Sequence, residues 1–346
     1  MSGPQQRFLV IRLSSIGDIV HALPAVAALG RAYPQAEIHW VVETRYAGLL
    51  AGNPYVHSVL KLDTLGWREH WASAATLEEA LRGLRALREA SYDAAIDFQG
   101  LWKSALIARL SRSRERLGLA EPWLREPGAA VFYTDRVSPA GRSHVIDQYF
   151  ALAEHLGARG GQWEFPLPRT AEDDRYVEHQ LEVLGAEEFI IVNPGGGWKA
   201  KCWAPEDYAA LIRSLGTGLP WKILLTGSPD EQELISEILI RAGMKQALYF
   251  ASTLVQFIAL ARRAKLFVGG DTGPLHLAAA VGTPVVAIYG PTDPARNGPF
   301  SADDIALSGS GPIDHTRRGA SPAYIRGVPV DSVLRAITER LARAHG

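Results

Sequence analysis

Asp18 closes the run Ser14-Ser15-Ile16-Gly17-Asp18, which follows the apolar stretch Arg7–Leu13. A carboxylate where a strand turns into a helix has two uses. It caps the helix by accepting backbone N–H bonds, or it acts as a general base toward a hydroxyl held above it. Ser14 and Ser15 have a similar pair of readings, as turn residues or as polar lining. Asn193-Pro194-Gly195-Gly196-Gly197 ends a second apolar run, with Lys199 and Lys201 just beyond. Three glycines let backbone N–H groups approach an anion closely, and a nearby lysine adds charge, so the pairing suits phosphate without a metal. The plainer reading is a flexible turn with exposed lysines. Gly269-Gly270-Asp271-Thr272-Gly273-Pro274-Leu275-His276 opens a helix after a third run. Pro274 fits the first helical position. The free N–H groups there, with the Thr272 hydroxyl, form an anion site. Asp271 would repel that anion and suits sugar hydroxyls instead. His276 suits a phosphate or a ribose, or packs under the loop.

Two more strand-to-helix loops carry polar groups. Thr226–Glu231 offers Glu231, as a helix cap or as a chelator of a ribose diol. Tyr289–Pro294 offers Thr292 and Asp293, as lining or as parts of a proline-rich turn. Asp97–Ser104 ends a run in the first half, and from Lys103 to Arg116 five basic residues stand against one acid, Glu115. That stretch is either a solvated face or an attraction for an anionic acceptor. Gly-x-Gly-x-x-Gly is absent from the first turn, which counts against a dinucleotide enzyme, and there is no Walker lysine motif. The ten histidines show no H-x-x-x-H or H-E-x-x-H spacing, so no metal site is expected. Two phosphate-type loops plus a sugar-type carboxylate suit a sugar nucleotide. A carboxylate and basic residues in the other half suit an acceptor. The implied reaction is glycosyl transfer: a base takes the proton of an acceptor hydroxyl, which attacks the anomeric carbon while the loops steady the departing diphosphate.

The elements that must hold these loops alternate along the chain. Strand-like runs are Arg7–Leu13, Glu37–Glu43, Ser58–Asp63 and Tyr92–Phe98, then Phe189–Asn193, Lys222–Thr226, Leu266–Gly269 and Pro284–Tyr289. Helical periodicity lies between them over 19–31, 79–90, 205–215, 231–242, 254–263 and 275–281, and again over 331–344. This predicts an α/β fold of parallel sheets covered on both faces. The 346 residues exceed the roughly 250–300 that one core supports, so two doubly wound domains are expected. Their ligand crevices should lie at the carboxyl ends of the strands, facing each other across a cleft. The polar stretch 157–175 sets the join: residues 1–170, residues 171–330, and a C-terminal helix over 331–346. A net charge of -1 excludes a polycation built for nucleic acid. The lone cysteine, Cys202, excludes an internal disulfide. No apolar run nears the ~18 residues of a membrane span, and the first residues lack a signal-peptide layout. A cytoplasmic monomer is the expectation.

Several of these segments together resemble a known family. LSSIGDIVHALPAV at 13–26, YDAAIDFQGLWKSALIARL at 92–110, REP at 125–127, Lys201-Cys202-Trp203, GDTGPLHLAAA at 270–280 and YGPTDP at 289–294 are similar to the ADP-heptose:lipopolysaccharide heptosyltransferases of glycosyltransferase family nine. The likeness runs in order over nearly the whole chain and is strongest to the heptosyltransferase I type. It implies the two-domain GT-B fold and inverting, metal-independent transfer of heptose from ADP-heptose to the Kdo of a Kdo-lipid A type acceptor. It also implies work at the inner face of the cytoplasmic membrane without spanning it. By the resemblance Asp18 is the base. Lys201, Thr272 and Gly273 hold the diphosphate, with Gly195, Gly196 and Gly197 contributing backbone amides. Asp271 takes heptose hydroxyls, Glu231 the ribose, and His276 lies beside the donor. Ser15, Gly17, Arg68, Gln99, Lys103 and Arg125 fall on the acceptor side. The resemblance leaves open another glycan or protein acceptor, and an epimerase-like protein of the same fold.

Overall fold

Strands hydrogen-bonded in parallel need a long crossover between them, and short apolar runs separated by amphipathic helices supply it. The computed structural model shows this arrangement twice. It describes residues 6–69, 73–159, 161–311, 313, 325 and 327–343. Contacts divide the chain into Met1–Pro168 and Arg169–Gly346.

The first unit holds six parallel strands: β1 (Arg7–Ile11), β2 (Glu37–Glu43), β3 (Ser58–Leu62), β4 (Ala94–Asp97), β5 (Glu115–Leu119) and β6 (Asp135–Val137). Their order is β3-β2-β1-β4-β5-β6. The chain steps outward from β1 to β3, then returns to the other side of β1 for β4. Such a reversal leaves a crevice at the carboxyl ends of β1 and β4, the usual place for a ligand in this architecture. The helices are α1 (Ile16–Ala32), α2 (Thr64–Glu69), α3 (Ala74–Glu89), α4 (Trp102–Leu110) and α5 (Val145–His155). α1 buries every residue of Ile19–Leu29 and packs on α5. Beneath α3 and α4, Leu9, Ile11, Val41, Leu87 and Ala108 form a continuous core.

The second unit repeats the plan. α6 (Ala171–Leu184) leads to β7 (Phe189–Asn193), α7 (Pro205–Gly218), β8 (Lys222–Leu225), α8 (Gln232–Ala242), β9 (Ala247–Tyr249) and α9 (Leu254–Ala261). There follow β10 (Phe267–Gly270), α10 (Gly273–Ala280), β11 (Val285–Tyr289), α11 (Pro294–Asn297), β12 (Ile305–Ser308) and α12 (Val330–Arg343). The sheet runs β12-β11-β10-β7-β8-β9. Counted from β7, this is the order of the first sheet, with the reversal between β7 and β10. α12 packs on α7 and β11, burying Val333, Ala336 and Ile337. Its Arg340 meets Asp304 at 2.9 Å in a buried ion pair.

The sequence pattern finds β1–β4, β7, β8, β10 and β11, and misses β5, β6, β9 and β12. β5 opens on Glu115-Arg116 and contains Gly118, so it lacks an apolar run. Gly118 is needed because Tyr133 fills the space a Cβ would take. β6, β9 and β12 stand at sheet edges and are three or four residues long. The basic stretch after Lys103 is largely helix α4, whose Ser104, Ala105 and Ala108 face the sheet. Residues 344–346 of the expected last helix, and residue 160 of the expected linker, lie outside the described residues.

Candidate active site

In the first unit three charged residues stand at the carboxyl ends of neighbouring strands: Arg12 just past β1, Glu43 ending β2 and Asp97 ending β4. Each follows a run of buried apolar residues, so burial constrains each to find a partner. Arg12, only 5% exposed, places Nη2 2.6 Å from Asp18 Oδ1. Its Nη1 donates to Phe98 O at 2.5 Å, and the guanidinium lies over the Tyr149 ring at 5.7 Å. Asp18 sits in the first turn of α1. Its Oδ2 accepts from Ser15 N at 3.0 Å and from Ser15 Oγ at 2.8 Å. The capping role is therefore filled by one oxygen, while 38% of the side chain stays open to solvent. Burial alone would raise the Asp18 pKa; the Arg12 charge, with help from Ser15 and His21, outweighs it and holds the carboxyl well below the usual range. Asp18 is an ionised carboxylate held by Arg12 at Oδ1 and by Ser15 at Oδ2. Gly17 is buried beside it.

Asp97 accepts four hydrogen bonds, from Gln99 N (2.8 Å), Gly100 N (3.2 Å), Ser104 Oγ (2.8 Å) and Tyr133 Oη (2.7 Å). Burial still pushes its pKa up. This network shapes the loop after β4, in which Gly100 takes φ +69°. Gln99 Oε1 then accepts from Leu13 N at 2.8 Å, tying that loop to the one after β1. Lys103 Nζ reaches Thr64 Oγ1 at 3.2 Å and Glu43 Oε1 at 3.6 Å. Arg125 is exposed on the loop after β5. Its neighbour Glu126 accepts from Trp102 N at 2.7 Å, which sets Arg125 beside the start of α4. Arg68 belongs to α2, and its side chain is outside the described residues.

In the second unit Asp271 follows β10 and is the hub of a buried cluster. Its Oδ2 meets Lys201 Nζ at 2.5 Å and Thr292 Oγ1 at 2.7 Å. Its Oδ1 meets His276 Nε2 at 3.0 Å and accepts from Asn297 Nδ2 at 2.9 Å. Burial opposes the charge, but the His276 hydrogen bond and the Lys201 ammonium hold the Asp271 carboxyl far below its ordinary pKa. Thr272 caps α10, and its Oγ1 is buried without a hydrogen-bond partner. Pro274 stands second in that helix, one place later than expected, because Gly273 is already helical.

Three glycines make this cluster possible. A Cβ on Gly270 would lie 2.5 Å from Lys201 O, and one on Gly290 would lie 2.6 Å from Ala200 O. The turn bearing Lys201 thus rests directly on the ends of β10 and β11. A Cβ on Gly195 would run into the Glu231 carboxylate. Glu231 Oε2 accepts from Ser228 N at 2.7 Å, so it caps its own turn while lying across the glycine loop. Gly196 packs on Thr272, and Gly197 has open space above it. Cys202 sits close by with its thiol pKa pushed up to about 11, chiefly by burial and then by Glu231, so it is a neutral thiol at pH 7. Among the described residues no group of three His, Cys, Asp or Glu side chains could hold a metal.

Arg12, Glu43, Asp97 and Asn297 were not singled out by the sequence as site residues. The available signal for the first three was a charge terminating an apolar run, as in FLVIR, HWVVE and AAID. Asn297 gives no such signal, since only the fold of α11 brings it to Asp271.

Two parallel six-stranded α/β units, one with an ionised carboxylate after its first strand and one with a lysine beside a glycine loop, are the fold of a GT-B glycosyltransferase. Residues 80–321 match glycosyltransferase family 9 (heptosyltransferase), and the chain belongs to that family. It is 31% identical over 322 residues to lipopolysaccharide heptosyltransferase 1 of Pseudomonas aeruginosa, covering 88% of this chain and 84% of that one. It is likewise 31% identical to the enzyme of the same name from Escherichia coli K12, over 86% of this chain and 92% of the other. Among solved structures it is similar to E. coli heptosyltransferase WaaC with ADP, at 27% identity and a TM-score of 0.79, over 97% of this chain and 100% of that chain.

Proposed function

We propose that the protein transfers a heptose from ADP-heptose to the Kdo of the lipopolysaccharide inner core, with inversion and with Asp18 as the base. The observation that carries this reading is the Asp18 carboxylate: ionised, oriented by Arg12 and Ser15, and open on one side. It is supported by relatives named lipopolysaccharide heptosyltransferase 1 and by a similar structure solved with ADP. A second similar structure holds ADP-2-deoxy-2-fluoro heptose. Asp18 Oδ1 takes the proton of the acceptor hydroxyl. The freed oxygen pair attacks the anomeric carbon, and the bond from that carbon to the diphosphate oxygen breaks. ADP leaves with the electron pair, its charge met by Lys201 and by the N–H groups of Gly195–Gly197 and Gly273.

Asp271 accepts four hydrogen bonds, so it has little capacity left for sugar hydroxyls. Its part in donor binding is to orient Lys201, His276, Thr292 and Asn297. Glu231, beside the glycine loop, takes the ribose in this reading. Gln99, Lys103 and Arg125, with Ser15 and Arg68, take the anionic acceptor. The first unit, to about residue 170, is the acceptor side and the second is the donor side. No helix among the described residues is long and apolar enough to cross a membrane. The enzyme works as a monomer at the membrane surface, where its acceptor lies.

The test is incubation with ADP-heptose and Kdo₂-lipid A, without added metal, read by mass spectrometry. A heptose increment on the acceptor that disappears in Asp18→Ala supports the reading. Donor binding without an increment moves the acceptor elsewhere, and conversion of the donor with no acceptor present would make the protein an epimerase. The absence of both donor binding and product removes the proposal.

A further inference from the structure

Large apolar side chains left open to solvent gather on one part of the first unit. Trp102, Leu106 and Val131 lie where α4 packs on the turn Pro127–Phe132, and Leu77 and Leu81 stand on the neighbouring α3. Trp102 is 49% exposed and Val131 63%. The indole is nevertheless held in place. It packs edge-on against Phe132 at 5.8 Å and lies where a Cβ on Gly128 would strike it, and Glu126 fixes its backbone N–H. Exposed apolar side chains gathered into one patch mark a surface for contact.

The charge around it selects the partner. Trp102, Leu106 and Arg109 fall at steps of four and three on α4, so they share one face, and Arg112 follows at the helix end. Both arginines are exposed. From Lys103 to Arg116 five basic residues stand against one acid. An apolar stripe with a tryptophan and flanking arginines matches the boundary between acyl chains and anionic headgroups. The patch also joins the candidate acceptor residues, since Lys103 follows Trp102 and Arg125 precedes Glu126.

We infer that this face docks on an anionic phospholipid bilayer, which brings a lipid-anchored acceptor to Lys103 and Arg125. The inference rests on the acceptor reading proposed above. The test is flotation of the full chain with vesicles of phosphatidylcholine alone and with about one-third phosphatidylglycerol. The chain should float with the anionic vesicles, be released by salt, and bind the neutral ones at least ten-fold more weakly. Two double variants, Leu106→Ser/Val131→Ser and Arg109→Glu/Arg112→Glu, should each lower anionic-vesicle binding at least ten-fold, since each basic side chain contributes roughly five-fold. Unchanged Tm and ADP affinity would show that they fold. Both should still glycosylate a deacylated, water-soluble Kdo acceptor at the normal rate.

Equal binding to the two vesicle types, or wild-type binding by both variants, overturns the docking face. So does a dimer in light scattering that Leu106→Ser/Val131→Ser dissolves, which would give the face to a second copy of the chain. Transfer to the soluble acceptor without vesicle binding removes the docking face alone. Vesicle binding with the expected variant losses, but no transfer to any acceptor, keeps the docking face and removes the heptosyl reading.

Discussion

A single contact decides whether Asp18 can work as a base: Arg12 Nη2 against its Oδ1, 2.6 Å apart. Arg12 favours the ionised form, so Arg12→Met removes the largest influence opposing burial, leaves only Ser15 and His21 against it, and moves the Asp18 pKa upward. The acid limb of kcat/KM should then shift to higher pH, with Arg12→Lys intermediate; coincident limbs would show that Arg12 does not tune the base. Asp18→Asn should lower turnover by roughly 10²–10⁴ with ADP affinity unchanged, because the carboxylate is lost from the first unit and the proposed nucleotide site belongs to the second. Unaltered turnover would remove Asp18 from the chemistry. Asp271 and Asp18 also shape acid stability. Both folded pKa values lie below the ordinary ~3.9. The stability they confer is complete above that value and is lost as pH falls toward the folded values. The Tm should hold above about pH 5 and decline below about pH 4, more shallowly in Asp271→Asn. Parallel declines would mean that other carboxylates govern acid unfolding.

The loop after β7 separates two glycines of identical type and different duty. Gly195 leaves room for the Glu231 carboxylate, whereas Gly197 faces open space. If Glu231 and this loop hold the nucleotide as proposed, Gly195→Ala should weaken ADP binding roughly ten-fold and Gly197→Ala should leave it unchanged. Calorimetry that finds the two variants equal would detach the loop from the nucleotide. The contrast also marks how far the sequence could be read. The Gly-rich and Asp-containing loops after β1, β7 and β10 were visible because glycine, proline and carboxylates at the end of an apolar run leave few structural choices. The pairings were not visible. Lys201 and Asp271 are 70 positions apart, and Arg12 and Phe98 are 86 apart. Only strand order brings them together, and β5, β6, β9 and β12 carry too little apolar pattern to reveal that order. The same limit applies to Asp97, whose four donors come from its own loop and from Tyr133.

At the scale of the molecule one strand order is used twice, with different loops on equivalent strands. After its first strand one unit carries Ser-Ser-Ile-Gly-Asp and the other Asn-Pro-Gly-Gly-Gly. The proposed base and the proposed anion site therefore belong to separate cores. Each core has its own sheet and its own buried cluster, which is the condition for independent folding. Residues 169–346 expressed alone should unfold cooperatively and bind ADP. A chain that is unfolded by circular dichroism would show that this half needs the other. The first unit has its own constraint. Both its sheet and the helix bearing Asp18 depend on partners far along the chain, for every strand pair is parallel and α1 packs on α5. On the ribosome, α1 therefore emerges long before the surface that covers it. Its apolar flank must wait through the synthesis of five more strands, leaving the nascent first half dependent on chaperones until α5 has cleared the exit tunnel.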